Sequence, residues 1–124
     1  MIELRDVDPD LPFLAQLQDR DDVHPVVLVN SFVAPDGKAD EVAEVWRRDS
    51  EIMRSQPGFV SAQLHRGLGT SRVLTNVAVW ESTAALGNAF ANAEFQRTLA
   101  LYPDGTVAYP VLVRPRAVPG ICVA

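Results

Sequence analysis

The chain has 124 residues, of which 48% are hydrophobic and 22% charged, a balance that suggests one globular domain. Its formal net charge is −5 and it has no basic cluster, which argues against binding to nucleic acid or to an anionic membrane surface. The single cysteine, Cys122, excludes a disulfide framework and a cysteine-based zinc site.

Residues 1–25 are rich in aspartate, and we interpret them as an N-terminal arm ahead of a domain that spans residues 26–124. Within the arm, Asp10 is expected to cap a short helix that has Pro12 in its first turn. Nothing in this stretch predicts a strand.

The first half of the domain predicts a strand followed by a helix. Residues 26–34 are rich in valine and predict a strand, and turn residues 35–37 follow them. Apolar residues then recur at helical spacing from Lys38 to about Gln56. Asp49 falls on the apolar stripe of this helix, so it either faces a pocket or pairs with an arginine.

The second half predicts a β-hairpin, a broken helix and a last strand. Residues 59–66 and 73–82 form the hairpin strands. Helical spacing resumes over residues 83–101, with Ser82 or Thr83 as the cap and a break near Asn92. A strand over residues 111–113 lies between two prolines, which suits an edge position.

This order, β-α-β-β-α-β, predicts an α+β, ferredoxin-like fold with a four-stranded antiparallel sheet. Alternation along the strands divides the sheet into two faces. The aliphatic face comprises Val27, Val29, Val33, Val60, Ala62, Leu64, Val73, Val77 and Val79. The mixed face comprises Leu28, Asn30, Phe32, Phe59, Ser61, Gln63, His65, Leu74, Asn76 and Trp80. Two helices cover one face only, so we expect a second copy of the chain on the aliphatic face and a cavity over the mixed face.

Asn76 and Trp80 are the most informative pair on the mixed face. They lie on the same side of one strand, and only the small Ala78 stands between them. A buried amide without a hydrogen bond costs about 1–3 kcal/mol. We therefore expect Asn76 to have a partner, which is protein, water or ligand.

Four stretches carry a resemblance to a known family: Val29–Val33, Pro57–Phe59, Asn76–Ser82 and Asn92–Phe95. With them, the chain resembles the antibiotic biosynthesis monooxygenase (ABM) family of dimeric α+β barrels from about residue 26 to residue 113. The Trp-Glu-Ser sequence before a helix is the most specific part. The resemblance implies a homodimer with a pocket between sheet and helices in each subunit.

Some members of that family oxidise aromatic polyketide phenols or anthrones with molecular oxygen, without metal or flavin. The resemblance implies that Asn76 and Trp80 contact the substrate oxygens. A tyrosine and an arginine are also implicated in such enzymes. Leu86 stands where we would look for the tyrosine, and Arg97 is the nearest candidate for the arginine.

Haem-degrading members of the family use an asparagine that Asn30 matches. The positions of their tryptophan and histidine hold Ala89 and Leu99 here. Without a histidine to ligate iron, the resemblance does not favour haem.

The resemblance suggests a mechanism in which the substrate loses a proton, gives an electron to oxygen and recombines with it. Asn76 would donate to the developing oxyanion, and Trp80 would donate or stack. His65 is a candidate base. Each residue also has a purely structural interpretation. Asn76 would be a structural amide, Trp80 part of the packed core and His65 a surface histidine. The candidate substrate-binding residues are Asn30, Phe32, Asp49, Gln63, Leu86, Phe90 and Arg97.

No glycine-rich phosphate motif, cysteine cluster or paired histidines are present, so we expect no cofactor and no metal. The expected partners are a small aromatic substrate, molecular oxygen and a second copy of the chain. Two alternatives are a polyketide cyclase or isomerase and a non-catalytic ligand-binding partner, because fold does not fix function. No long apolar run and no secretory signal are visible, so we expect a cytoplasmic location.

Overall fold

The computed structural model of the chain describes residues 1–18 and 22–124. Its strands are β1 (Glu3–Leu4), β2 (Val26–Val33), β3 (Phe59–Arg66), β4 (Val73–Trp80) and β5 (Val107–Val113). Its helices are α1 (Phe13–Gln16), α2 (Ala39–Arg54), α3 (Thr83–Phe90) and α4 (Ala93–Thr98), and a single 3-10 turn follows at Leu99–Leu101. Within the described ranges, none of these helices is both long and apolar enough to cross a membrane.

The predicted α+β, ferredoxin-like fold is confirmed, with five strands in place of four. The sheet order is β1-β5-β2-β4-β3, and all pairs are antiparallel except β1 with β5. The additional strand is β1, whose two residues carry no alternating pattern. Backbone hydrogen bonds hold it: Glu3 N donates to Thr106 O at 2.9 Å and Arg5 N to Ala108 O at 2.8 Å.

Helix α1 lies where the aspartate-rich segment predicts a helix, but its cap differs. Asp6 Oδ1 accepts a hydrogen bond from Phe13 N at 2.9 Å, whereas Asp10 Oδ1 makes no such bond and Asp10 N donates to Asp8. Pro12 stands at the N-cap position rather than inside the first turn. The loop before α1 folds back, so the cap comes from seven residues upstream.

Strand β5 is longer than the predicted segment because Pro110 lies inside it, opposite Asn30 of β2. Beyond Ala108, β1 no longer accompanies β5, so the missing N–H of the proline disrupts no ladder on that side. Further along this edge, the side-chain amide of Gln16 makes the hydrogen bonds that the backbone of a neighbouring strand would make. It donates to Leu112 O at 3.0 Å and accepts from Leu112 N at 2.9 Å.

The helix boundaries follow the predicted signals. Ser82 Oγ accepts from Ala85 N at 3.1 Å, and Asn92 Oδ1 accepts from Phe95 N at 3.0 Å, so the predicted cap and the predicted break are both confirmed. After α2 the chain turns at Gly58, whose φ is +89°. A Cβ at Gly58 would lie 2.4 Å from Ala85 Cβ, so only glycine lets α3 approach this closely.

The predicted β3–β4 hairpin is confirmed, but the predicted faces of β3 were wrong. Phe59 pairs with Trp80 and Ser61 with Val79, so β3 has a bulge between its first and third residues. One extra residue reverses the alternation after it. As a result Ala62 and Leu64 lie on the same face as Asn76, while Ser61, Gln63 and His65 lie on the aliphatic face.

The helices cover the mixed face of the sheet, as the strand pattern predicts. In β4 the side chains of this face are buried, namely Leu74, Asn76, Ala78 and Trp80, while the alternate residues are half-buried. The opposite face carries half-buried Val27, Val29, Val33, Val77, Val79 and Val111. Within the described ranges of the single chain, no helix packs over these valines.

Candidate active site

A cavity lies between the mixed face of the sheet and the helices. Its volume is about 80 Å³, and it opens to solvent at a mouth. It separates the two hydrophobic clusters of the core. Phe32 and Tyr102 belong to one cluster, and Trp80 and Leu86 to the other.

The floor of the cavity carries two amides side by side. Asn30 of β2 and Asn76 of β4 are direct cross-strand partners, and Pro110 and Leu64 flank them in the neighbouring strands. The Oδ1 atoms of both asparagines are buried and accept no hydrogen bond from any described residue. Asn76 is only 8% exposed, so water has little access to its side chain. No described residue replaces the hydrogen bond that Oδ1 would make with water. Such an orphan costs about 1–3 kcal/mol, and a bound ligand with donors would remove that cost.

The space above the amides exists because small side chains surround them. Ala78 follows Asn76 on the same face of β4 and pairs with Ala62 of β3. Beyond Ala78, the ring of Trp80 packs edge-on against Phe59, with ring centroids 5.3 Å apart and planes at 87°. Trp80 is only 1% exposed and lines the cavity, so its ring forms one end wall.

The N-terminal segment forms another part of the wall, through Ile2, Leu4 and Phe13. Phe13 is 4% exposed and packs edge-on against Phe90 at 5.4 Å. The sequence pattern did not place these three residues at the site, because a two-residue strand and a four-residue helix are too short to show periodicity. Whether residues 1–25 form a separate arm stays a prediction.

Asp49 and Tyr102 form a buried polar pair in the wall of the cavity. The Tyr102 hydroxyl donates to Asp49 Oδ2, and the Ser50 hydroxyl donates to Oδ1 at 3.3 Å. Burial raises the pKa of Asp49 to about 7, although both hydrogen bonds oppose that rise. Burial, followed by the neighbouring Asp49 carboxylate, raises the pKa of the Tyr102 hydroxyl well above its ordinary value. Phe32 stacks on the tyrosine ring, with centroids 5.8 Å apart.

The cavity brings together most of the residues that the sequence singles out. Those that line it are Asn30, Phe32, Asp49, Asn76, Trp80, Leu86 and Phe90. Asp49 faces the cavity rather than an arginine, which resolves the alternative left open by its helical stripe. Their catalytic and binding roles stay predictions.

Three predicted site residues do not reach the cavity. Gln63 and His65 lie on the opposite face of the sheet because of the bulge in β3, and both are exposed. His65 Nδ1 lies 3.2 Å from Thr75 O, so its ring rests against the neighbouring strand. Arg97 is exposed in the last turn of α4. Their positions do not support roles for these side chains inside this cavity.

Tyr102 is the residue that the sequence analysis missed. It directly follows the 3-10 turn, in a segment whose sequence predicts a loop. A loop has no periodicity that would indicate where the tyrosine side chain points. Its partner Asp49 is 53 residues away in the sequence. The only local signal is an apolar-aromatic residue just before a Pro-Asp-Gly turn, which is too common to predict a site.

The part of the chain that the structure describes holds no group of three or more His, Cys, Asp or Glu side chains placed to bind a metal ion. The expectation that the protein uses no cofactor stays a prediction from the sequence.

The model of the antibiotic biosynthesis monooxygenase family matches residues 25–101, and the chain belongs to this family. The predicted resemblance is thereby confirmed. Comparison with curated proteins gives no match.

Solved structures of the same fold are similar to the chain. SnoaB, a cofactor-independent oxygenase from Streptomyces nogalater, is 26% identical, with 79% of this chain and 99% of that one covered and a TM-score of 0.70. A protein from Shewanella loihica is 32% identical over 77% of this chain and 97% of its own, with a TM-score of 0.64. A conserved protein from Methanosarcina mazei shares 14% identity and a TM-score of 0.65, covering 75% and 94%, and shows the fold alone.

Proposed function

We propose that the protein is a cofactor-independent monooxygenase that oxidises an aromatic, polyketide-like phenol, quinol or anthrone with molecular oxygen. The observation that carries this proposal is the pair of amides on the cavity floor, Asn30 and Asn76, whose buried Oδ1 atoms accept no hydrogen bond from any described residue. An apolar cavity suits aromatic rings, and paired amides suit oxygen substituents on them.

The amides support this chemistry because each carries both an acceptor and donors. A substrate hydroxyl can donate to Oδ1, and an enolate oxygen can accept from the side-chain N–H groups. Donors that point at a developing oxyanion inside a water-poor cavity stabilise it more strongly than they would in water. Trp80 offers a ring for stacking and an indole N–H at the end of the cavity.

The reaction on an anthrone proceeds in four steps in this proposal. The ring methylene loses a proton, and the resulting enolate gives one electron to oxygen. The carbon radical and superoxide then combine into a peroxide, which loses water to leave a new carbonyl group. One oxygen atom of O₂ enters the product and the other leaves as water, so no further reductant is needed. The similarity to SnoaB, a cofactor-independent oxygenase that is 26% identical, supports this assignment.

We also propose that the active form is a homodimer joined through the aliphatic face of the sheet. Half-buried valines cover that face in the single chain, and such a surface is unfavourable in water. Burial of apolar area contributes about 25 cal/mol per Å². A cytoplasmic location stays a prediction.

Oxygen uptake with anthrone as substrate tests the function, with enzyme-free autoxidation subtracted. We expect uptake and formation of anthraquinone in the wild type. Asn76→Ala removes the amide and should lower kcat by about 10²–10³. Asn88→Ala, the same change at an exposed position of α3, is the matched control and should leave the rate unchanged. Rearrangement of a polyketide substrate without oxygen uptake would identify a cyclase or isomerase, and tight binding without turnover a ligand-binding protein.

A further inference from the structure

We propose that Asp49 is the base that removes the acidic proton of the substrate, and that Tyr102 positions its carboxylate. This inference rests on the proposed function, because it assigns the first step of that reaction. It also replaces His65, which lies on the other face of the sheet, as the candidate base.

The position of Asp49 favours a chemical role over a structural one. The carboxyl interrupts the inner stripe of α2, where Val42 and Val45 are buried, and it is itself only 6% exposed. Within the described ranges it forms no ion pair, and Arg47 and Arg48 of the same helix pair with exposed Glu44 and Glu51. A carboxyl that is buried in an apolar core with no cation beside it contributes poorly to the stability of helix packing.

Apart from Tyr102, no titratable side chain among the described residues that line the cavity faces this carboxyl. The sheet presents Asn30 and Asn76, the N-terminal segment presents Ile2 and Leu4, and only Tyr102, which follows the 3-10 turn, is titratable. The N-terminal amine donates to the backbone carbonyl oxygen of Tyr102 at 3.2 Å and to Asp104 Oδ1 at 3.0 Å. Asp49 is therefore the one group among them that can accept a proton near neutral pH.

Its environment matches the task of a general base. Burial raises the pKa of Asp49 to about 7, so a substantial fraction of the molecules carry the carboxylate at neutral pH. A base is most effective when its pKa lies near the working pH. The raised pKa of the Tyr102 hydroxyl keeps its own proton in place, so it donates to the carboxylate without being consumed.

The geometry suits a substrate of the anthrone class. The carbonyl and the methylene of an anthrone lie on opposite sides of its central ring. In the cavity, the amides lie on the sheet and Asp49 lies on α2, which packs over the sheet. The C–H bond breaks, its proton forms an O–H bond on Asp49, and its electron pair enters the enolate, whose oxygen accepts from the amides. The hydroxide released from the later peroxide takes the proton back from Asp49 as water.

Hydrogen–deuterium exchange of the anthrone methylene in D₂O without oxygen tests this step separately from oxygenation. The wild type should accelerate exchange, and Asp49→Asn should lower the catalysed rate by about 10²-fold or more. Asp36→Asn, the same change in an exposed turn, is the matched control and should exchange at the wild-type rate. The rate in the wild type should rise with pH, with a midpoint near the pKa of Asp49, and that rise should vanish in Asp49→Asn.

Two further measurements separate chemistry from folding. Both tryptophans of the chain, Trp46 and Trp80, line the cavity, so quenching of their fluorescence by anthraquinone sulfonate reports binding. Asp49→Asn should bind this probe with wild-type affinity. Tyr102→Phe removes a hydrogen bond that lowers the pKa of Asp49, so its rate profile should shift to higher pH.

Failure of the two proposals gives different results. Exchange that Asp49→Asn abolishes, without oxygen uptake by the wild type, supports Asp49 as the base and refutes the oxygenase assignment. Wild-type exchange in Asp49→Asn, an unshifted profile in Tyr102→Phe, or no catalysed exchange in the wild type overturns the role of Asp49.

Discussion

Ionisation of Asp49 should reduce the stability of the fold, and Asp49→Asn should remove that dependence on pH. The carboxyl is buried, and its pKa rises from 3.8 to about 7 in the folded protein. Between these two values the folded chain holds a proton that the unfolded chain has released. The free energy of unfolding therefore falls as pH rises across this window, and the loss is complete above the folded pKa.

The size of the effect follows from the same two pKa values. Each unit of difference corresponds to about 1.4 kcal/mol, so full ionisation costs about 4 kcal/mol of stability. That is a large share of the roughly 5–15 kcal/mol that stabilises a typical domain. The amide introduced by Asp49→Asn would keep an oxygen that accepts from Tyr102 and would carry no charge. Relative to wild type, this variant should therefore gain about 3 kcal/mol between roughly pH 5 and pH 8.

Denaturant unfolding at fixed protein concentration measures this difference, with the pH varied across the window. Asp36→Asn, exposed in the turn after β2, controls for the chemical change itself and should follow the wild type. Tyr102→Phe should extend the dependence to higher pH and enlarge the total loss, because it removes a hydrogen bond that favours the carboxylate. Parallel curves for wild type and Asp49→Asn would refute the argument, since they would show that the carboxyl is not desolvated in the folded protein.

Three further predictions concern the cavity, the aliphatic face and the edge of β5. Ala78→Leu should fill the cavity and abolish binding of anthraquinone sulfonate without lowering the melting temperature. Ala84→Leu, at an exposed position, is the control. A loss of several degrees in Ala78→Leu would instead indicate that the leucine overpacks a solid core, at a cost of about 1–3 kcal/mol. Val77→Lys should dissociate or unfold the proposed dimer, as native mass measurements would show. Leu68 is 93% exposed, so Leu68→Lys should leave the dimer intact. A wild type that is monomeric at micromolar concentration contradicts the dimer. Gln16→Ala removes two hydrogen bonds to the backbone of β5 and should lower the free energy of unfolding by about 1–2 kcal/mol in urea melts, and an unchanged value would show that water replaces the amide.

Local patterns in the sequence were sufficient for the order of the elements from β2 to β5 and for the core of the candidate site. Alternation in β4 placed Asn76 and Trp80 on one face with Ala78 between them, and helical spacing placed Asp49 on the inner stripe of α2. These predictions succeeded because the side-chain directions of a regular strand or helix depend only on its own backbone geometry. The helix cap at Ser82 or Thr83 and the helix break near Asn92 were also predicted from local residues, and both are confirmed.

Only the tertiary structure decided which residues meet across the cavity. The bulge in β3 moved His65 and Gln63 to the opposite face, because pairing with β4 and not local alternation sets the register there. The edge of β5 recruited Gln16, and a loop residue, Tyr102, came to bind Asp49 from 53 positions away. Such contacts depend on how distant segments pack together, and the pattern within any one segment carries no information about them.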